Sequence, residues 1–226
     1  MLAPTSAQAD EPPISSTGQN LPALTGTASY QAGRGLAAPI RAYRASGNWN
    51  ADRNRIAAAA TAFLDAWLTS CRTEAGCRPA VVFDIDETLL TSYPVFNSHD
   101  FDPTSAQRAA AQSRCQQGRI TAVAALYAHA RELRVETFII TGRSERSRRS
   151  TTACLRKRGI TDWTRLVMRS NAQLAASAAD YKAAQRKGLE GEGYDIAFSI
   201  GDQFSDVAGG HFAHGYVLPN PMTYIA

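Results

Sequence analysis

The sequence predicts an α/β fold: a Rossmann-like, doubly wound parallel sheet with a small helical cap inserted after the first strand. Three observations carry this. β-rich apolar runs recur at Val81–Ile85, Phe138–Ile140 and Ile196–Ile200, and helix-periodic stretches alternate with them. Each run delivers polar residues to its C-terminal end, and in a parallel sheet those ends share one edge. At 226 residues the chain is long enough for one domain with a sizeable core.

In chain order, residues 1–27 are rich in Pro, Ser, Thr, Gln and Gly and read as an unstructured lead. Within them, Ser6-Ala7-Gln8-Ala9 before Asp10 has the small-x-small form of a signal-peptidase site, which points to a secreted or periplasmic protein. A single domain is expected over 28–226, opening with a helical stretch to about residue 46. Asn50 or Asp52 then caps a helix reaching Cys71, with Ile56, Ala60, Phe63, Trp67 and Leu68 as its apolar stripe. The first core strand is 80–84. No strong strand follows until 135; an alanine-rich helical stretch over 105–134 suggests an insertion spanning about 91–134. A strand at 136–141 leads into an arginine-dense helix at 144–158, read as a solvated face, and a short strand at 165–168 follows. A helix over 175–190 and strands at 195–202 and 215–218 complete the pattern.

The charge balance, 24 basic against 20 acidic residues, is too even to indicate a nucleic-acid partner. No run of eighteen apolar residues exists to span a membrane. Four cysteines allow three pairings. Cys71 with Cys77 is a short local bridge, and Cys115 with Cys154 would then tie the insertion to the core; four free buried thiols are the alternative.

Asp84 and Asp86 leave their strand on the same side, so two carboxylates address one small space. Like charges that close call for a cation or a shared proton. A hard metal ion meets that need, with one carboxylate left as nucleophile and the other as acid/base. Thr141-Gly142-Arg143, Tyr181-Lys182 and Gly201-Asp202-Gln203-Phe204-Ser205-Asp206 fall where they can join this pair.

These motifs, DIDETLL at 84–90, ITGRSE at 140–145, Tyr181-Lys182, GDQFSD at 201–206 and the Leu218-Pro219-Asn220-Pro221-Met222 ending, resemble the haloacid dehalogenase (HAD) superfamily. The similarity is to its acid phosphatase branch, subfamily IIIB, which includes plant vegetative storage proteins and bacterial acid phosphatases. The resemblance implies phosphomonoester hydrolysis through an aspartyl-phosphate on Asp84, with Asp86 as general acid/base. It implies Mg²⁺ held by Asp84, Asp202 and the backbone carbonyl of Asp86, with Asp206 as a direct or water-mediated partner. Thr141 and Gly142 would receive the phosphoryl oxygens and Lys182 would supply positive charge, with Arg186 and Lys187 as its rivals.

Other candidates keep two readings. Arg143 reaches the phosphate or caps the following helix. Tyr93, Phe96 and His99 either stack on an aromatic or nucleotide leaving group or pack the cap onto the core. Thr88 bonds within its own loop, and His211 and His214 are structural. A storage protein and a phosphotransferase are the competing functions for a small phosphomonoester-binding chain of this kind.

Overall fold

The computed structural model describes residues 14–16 and 29–225. In chain order the strands are β1 (Ile14–Ser16), β2 (Tyr30–Gln31), β3 (Pro79–Phe83), β4 (Leu90–Thr91), β5 (Gly118–Arg119), β6 (Glu136–Ser144), β7 (Arg165–Arg169), β8 (Asp195–Gly201), β9 (His214–Val217) and β10 (Thr223–Tyr224). The helices are α1 (Ala37–Ala45), α2 (Asn48–Cys71), α3 (Tyr93–Ser98), α4 (Ser105–Ser113), α5 (Thr121–Glu132), α6 (Arg148–Lys157) and α7 (Ala178–Gly191). Six strands form one sheet in the order β1-β9-β8-β3-β6-β7, and every pairing in it is parallel.

The period-two alternation of a strand is visible in β3. Val81 and Phe83 point into a core with Leu64 and Leu68 of α2, Tyr127 of α5 and Leu155 of α6. Ala80 and Val82 point into a second core with Phe138, Ile140, Tyr181 and Leu189. The sheet is therefore covered on both faces, as an all-parallel sheet must be. A third cluster, Ile40, Trp49, Phe96, Phe101 and Met222, joins the first helices to the cap and to the C-terminal segment. Trp49 fixes that junction by donating its Nε1–H to the Pro219 carbonyl at 2.9 Å.

Several boundaries differ from the sequence expectation. The lead, with its signal-type motif, lies outside the described residues except for Ile14–Ser16, which is not unstructured but pairs with Gly215–Val217. The helical stretch expected over 105–134 is two helices, broken where Cys115 takes a positive φ of 54°. Between them β5 turns back to pair antiparallel with β4, Leu90 opposite Arg119, so strand structure exists inside the insertion. Its second helix, α5, packs into the main core through Val123, Leu126, Tyr127 and Ala130; the cap is the shorter stretch before it. β6 runs to Ser144 instead of ending at Thr141, with an irregularity after Ile140. α2 begins at Asn48 after Gly47 in the left-handed region (φ 81°), so Asn50 and Asp52 lie inside the helix and do not cap it, and Asp52 accepts from Tyr43.

Cys71–Cys77 and Cys115–Cys154 are both bonded, with Cα separations of 5.6 and 5.2 Å. Among the described residues no helix is long and apolar enough to cross a membrane.

Candidate active site

The C-terminal edge of the sheet gathers the chemistry. Asp84 is the first residue past β3, and its backbone N–H still donates to Ile200 of β8 at 3.0 Å, so the strand ladder fixes its position. Asp202 follows β8 directly, and Asp206 lies in the short turn after it. One oxygen from each of Asp84, Asp202 and Asp206 lies within 4.8 Å of the others. Gly201 allows this: a Cβ there would come within 1.9 Å of the Asp206 carboxyl carbon.

Lys182 reaches the cluster from the first half of α7. Its Nζ donates to Asp84 Oδ1 at 2.8 Å and also to Asp206 Oδ1. It is 5% exposed. The rival cations go elsewhere: Lys187 is exposed, and Arg186 donates to the carbonyls of Asp206, Ala208 and Gly210, holding the loop after the cluster.

Three carboxylates, Asp84 and Asp206 buried and Asp202 half-buried, face one ammonium, a surplus of two negative charges. Burial, which costs the charged form, pushes the Asp84 carboxyl up to about 7; Lys182 opposes the shift, while Asp206 and Asp86 add to it. Burial and the charges of Asp84 and Asp206 raise Asp202 well above the usual range, against donors from Asn220 and Gln203. Burial alone would lower Lys182, but the charges of Asp206 and Asp84 outweigh it and raise it. An all-oxygen, doubly negative, largely buried set fits a hard divalent cation, and Asp84, Asp202 and Asp206 are the side chains that would hold it. Asn220 Nδ2 orients Asp202 at 2.7 Å, and the Gln203 backbone N–H orients Asp206 at 3.0 Å.

Asp86 does not enter this cluster. Arg143 grips it with two donors, Nε to Oδ2 at 2.8 Å and Nη2 to Oδ1 at 2.7 Å. Gln117 Nε2 adds a bond at 2.7 Å, while Gln117 Oε1 accepts from Arg143 Nη2 at 2.5 Å. Burial would raise the Asp86 carboxyl, but the charge and hydrogen bonds of Arg143 and the bond from Gln117 prevail and hold it below the usual range. The Arg143 fork is closed on Asp86, with Nη1 on Thr151 at 3.2 Å. The Asp86 carbonyl accepts from Thr88 Oγ1 at 3.3 Å, within the loop as the sequence suggested. The turn is completed by Glu87 at φ 53°, whose carboxylate is fixed by Arg53 at 3.0 Å, Thr91 at 2.8 Å and the Ser92 N–H at 2.5 Å.

Thr141 is buried with its Oγ1 near the Arg143 N–H (3.3 Å), and Gly142 is exposed with open space around it. A cleft of about 390 Å³ opens over Asp86 and Glu87, lined also by Phe96, Gln112, Tyr30 and Tyr224. Phe96 thus serves both the cap core and the cleft wall. Tyr93 stands edge-on to Trp49 and Phe101, centroids at 5.6 and 5.8 Å, which is a packing role. His99 bonds the Val95 carbonyl, His211 bonds Glu190 and His214 stacks on Tyr216. Gln112, Gln117, Arg53 and Asn220 were missed in the sequence; the nearest signal was Asn220 within the Leu-Pro-Asn-Pro-Met ending.

Fold and cluster together define a doubly wound α/β protein with an acidic cluster at the C-terminal edge of its sheet. Residues 23–226 match the profile of the HAD superfamily, subfamily IIIB (Acid phosphatase), and the chain belongs to that family. It is 33% identical to Acid phosphatase 1 of Solanum lycopersicum over 152 residues, 66% of this chain and 60% of that one. Vegetative storage protein 1 of Arabidopsis thaliana is 30% identical over 148 residues, 64% and 54% of the two chains. The chain thus spans under two thirds of the length of these relatives. Among solved structures, the class C acid phosphatase from Bacillus anthracis shares the fold, with a TM-score of 0.63, 18% identity and coverage of 76% and 70%.

Proposed function

We propose that this chain is a divalent-metal-dependent phosphomonoesterase, exported from the cytoplasm, that hydrolyses small phosphate esters through an aspartyl-phosphate on Asp84. The observation that carries the reading is the largely buried, doubly negative carboxylate set around Asp84, placed on a strand end beside Lys182. A bound Mg²⁺ supplies charge neutralisation for the phosphoryl oxygens. Asp84 attacks phosphorus, and the P–O bond to the leaving alkoxide breaks as Asp86 protonates that oxygen. Asp86 then takes a proton from the water that attacks the phosphoryl-aspartate, releasing phosphate and restoring Asp84. Thr141, the Gly142 amide and Lys182 bind the phosphoryl oxygens, whose charge must be countered throughout.

The Arg143 fork on Asp86 suits the second half, because it keeps a base ionised and aimed. For the first half, the incoming phosphoryl group is the competitor that draws Arg143 away. The alcohol portion lies in the cleft beside Phe96 and Gln112, where aryl or nucleotide groups fit. Both disulfides support an oxidising destination. A storage role gains nothing from holding three carboxylates and a lysine in a dry site, which is costly to assemble.

The test is p-nitrophenyl phosphate hydrolysis with Mg²⁺ and with chelator, beside Asp84→Asn. Turnover should require the cation and fall on the order of 10³-fold or more in the variant. Chelator-insensitive turnover, or full activity in the variant, would overturn the assignment.

A further inference from the structure

A second cleft, of about 340 Å³, shares no lining residue with the one above Asp86. Its walls come from Arg44, Asn50, Arg53 and Asn54, from Thr91, and from Arg119 with the first turn of α5, Thr121 and Ala122. No carboxylate lines it. The first turn of α5 has no side-chain cap and no acidic residue, since its N-cap is Ile120. A twelve-residue helix therefore presents its positive end to a cleft rich in guanidinium groups.

Arg53 gives an independent indication. It lines this cleft, is 2% exposed, and among its guanidinium donors only Nη2 makes a hydrogen bond to the described residues, to Glu87. A buried, unsatisfied guanidinium donor is costly, and such a group in a native structure calls for a partner. Its ring contact with Trp49 (4.3 Å) and its bond to Glu87 (3.0 Å) hold the side chain in place, so the donor is fixed rather than free to find solvent. Arg44 is bonded to Asn50 at 2.7 Å, and Arg119 makes a 3.5 Å approach to the Arg158 carbonyl, leaving most of their donors uncommitted. Three arginines against the one carboxylate they touch, Glu87, leave two net positive charges.

We infer that this cleft binds a small doubly charged oxyanion of the phosphate class, on the α5 N-terminus and between Arg44, Arg53 and Arg119. The anion accepts from the first backbone N–H groups of α5 and from guanidinium donors. Its size and charge match a free orthophosphate or the phosphoryl end of a larger molecule. Arg53 lines this cleft while its partner Glu87 lines the other, so the two sites meet at one ion pair.

The experiment follows backbone amide NMR shifts of the Mg²⁺-loaded protein titrated with inorganic phosphate, and separately with phenylphosphonate, which is not hydrolysed. Saturable shifts at Thr121, Ala122 and Val123, with a dissociation constant separate from that seen around Asp84, are expected. Binding of both probes would mean that a phosphoryl group on a larger molecule is accepted; binding of phosphate alone would mean a site for the free anion. The Arg44→Gln/Arg119→Gln double variant should weaken the α5 response at least tenfold and leave hydrolysis unchanged. Shifts confined to the Asp84 region, or an α5 response undiminished in that variant, would overturn the inference. Because the readout is not turnover, its failure is distinguishable from failure of the phosphatase reading.

Discussion

At the scale of single residues, the least anticipated feature is how Asp86 is held. A sequence places two aspartates two positions apart but cannot say that one faces a lysine and the other an arginine fork. Asp84 lies with Lys182 in the carboxylate cluster, while Asp86 lies with Arg143 and Gln117, and their carboxyl groups are shifted in opposite directions. The attack needs the reverse order, an ionised Asp84 and a protonated Asp86, which a cation on the cluster and release of Arg143 by the incoming phosphoryl group would supply. Gln117 is a positioning residue in this scheme: it bridges Asp86, Arg143 and Ser92, the last at 2.8 Å. Gln117→Leu removes one donor from the Asp86 carboxylate, so the Asp86 pKa rises. The alkaline limb of the kcat/KM profile, which reports the protonated Asp86 needed in the first half, should move to higher pH, with kcat falling about tenfold. An unshifted limb would show that Gln117 only packs.

At the scale of elements, the Cys115–Cys154 bridge links the two segments that hold Asp86. Gln117 follows Cys115 by two residues, and Thr151, which supports Arg143, precedes Cys154 on α6 by one turn. The bridge spans 39 residues against six for Cys71–Cys77. Chain entropy then assigns them about 4 and about 2 kcal/mol. Thermal melts of Cys115→Ser/Cys154→Ser and Cys71→Ser/Cys77→Ser should rank in that order, and equal losses would count against it. Strand ends, the C-terminal sheet edge and the aspartate, threonine and lysine positions were legible in the sequence, because apolar runs ending in polar residues are local signals. The break of the alanine-rich stretch at Cys115 was not: alanine favours helix on both sides, and the antiparallel β4–β5 pairing that interrupts it is a tertiary contact. Trp49 with Pro219, 170 residues apart, and Arg53 with Glu87 were illegible for the same reason.

For the whole molecule, the acidic cluster links stability to pH and to cation. Asp84 has a folded-state pKa of about 7 and Asp202 is raised in the same direction, both above the roughly 4 of an unfolded chain. Their contribution is present in full below the unfolded value and is lost as pH rises through the folded one. In chelator the melting temperature should therefore fall between pH 5 and pH 7.5, and added Mg²⁺ should restore most of the loss at the higher pH. A chelated protein that gains stability over that interval would contradict the charge surplus. The central claim, that Asp84 carries the phosphoryl group, is tested most directly by acid-quenching the Mg²⁺-loaded protein during turnover and reducing it with borohydride. Peptide mass analysis should then find homoserine in place of Asp84 and unmodified Asp86. Steady turnover with Asp84 unmodified, or with the reduced product at Asp86, would contradict the account.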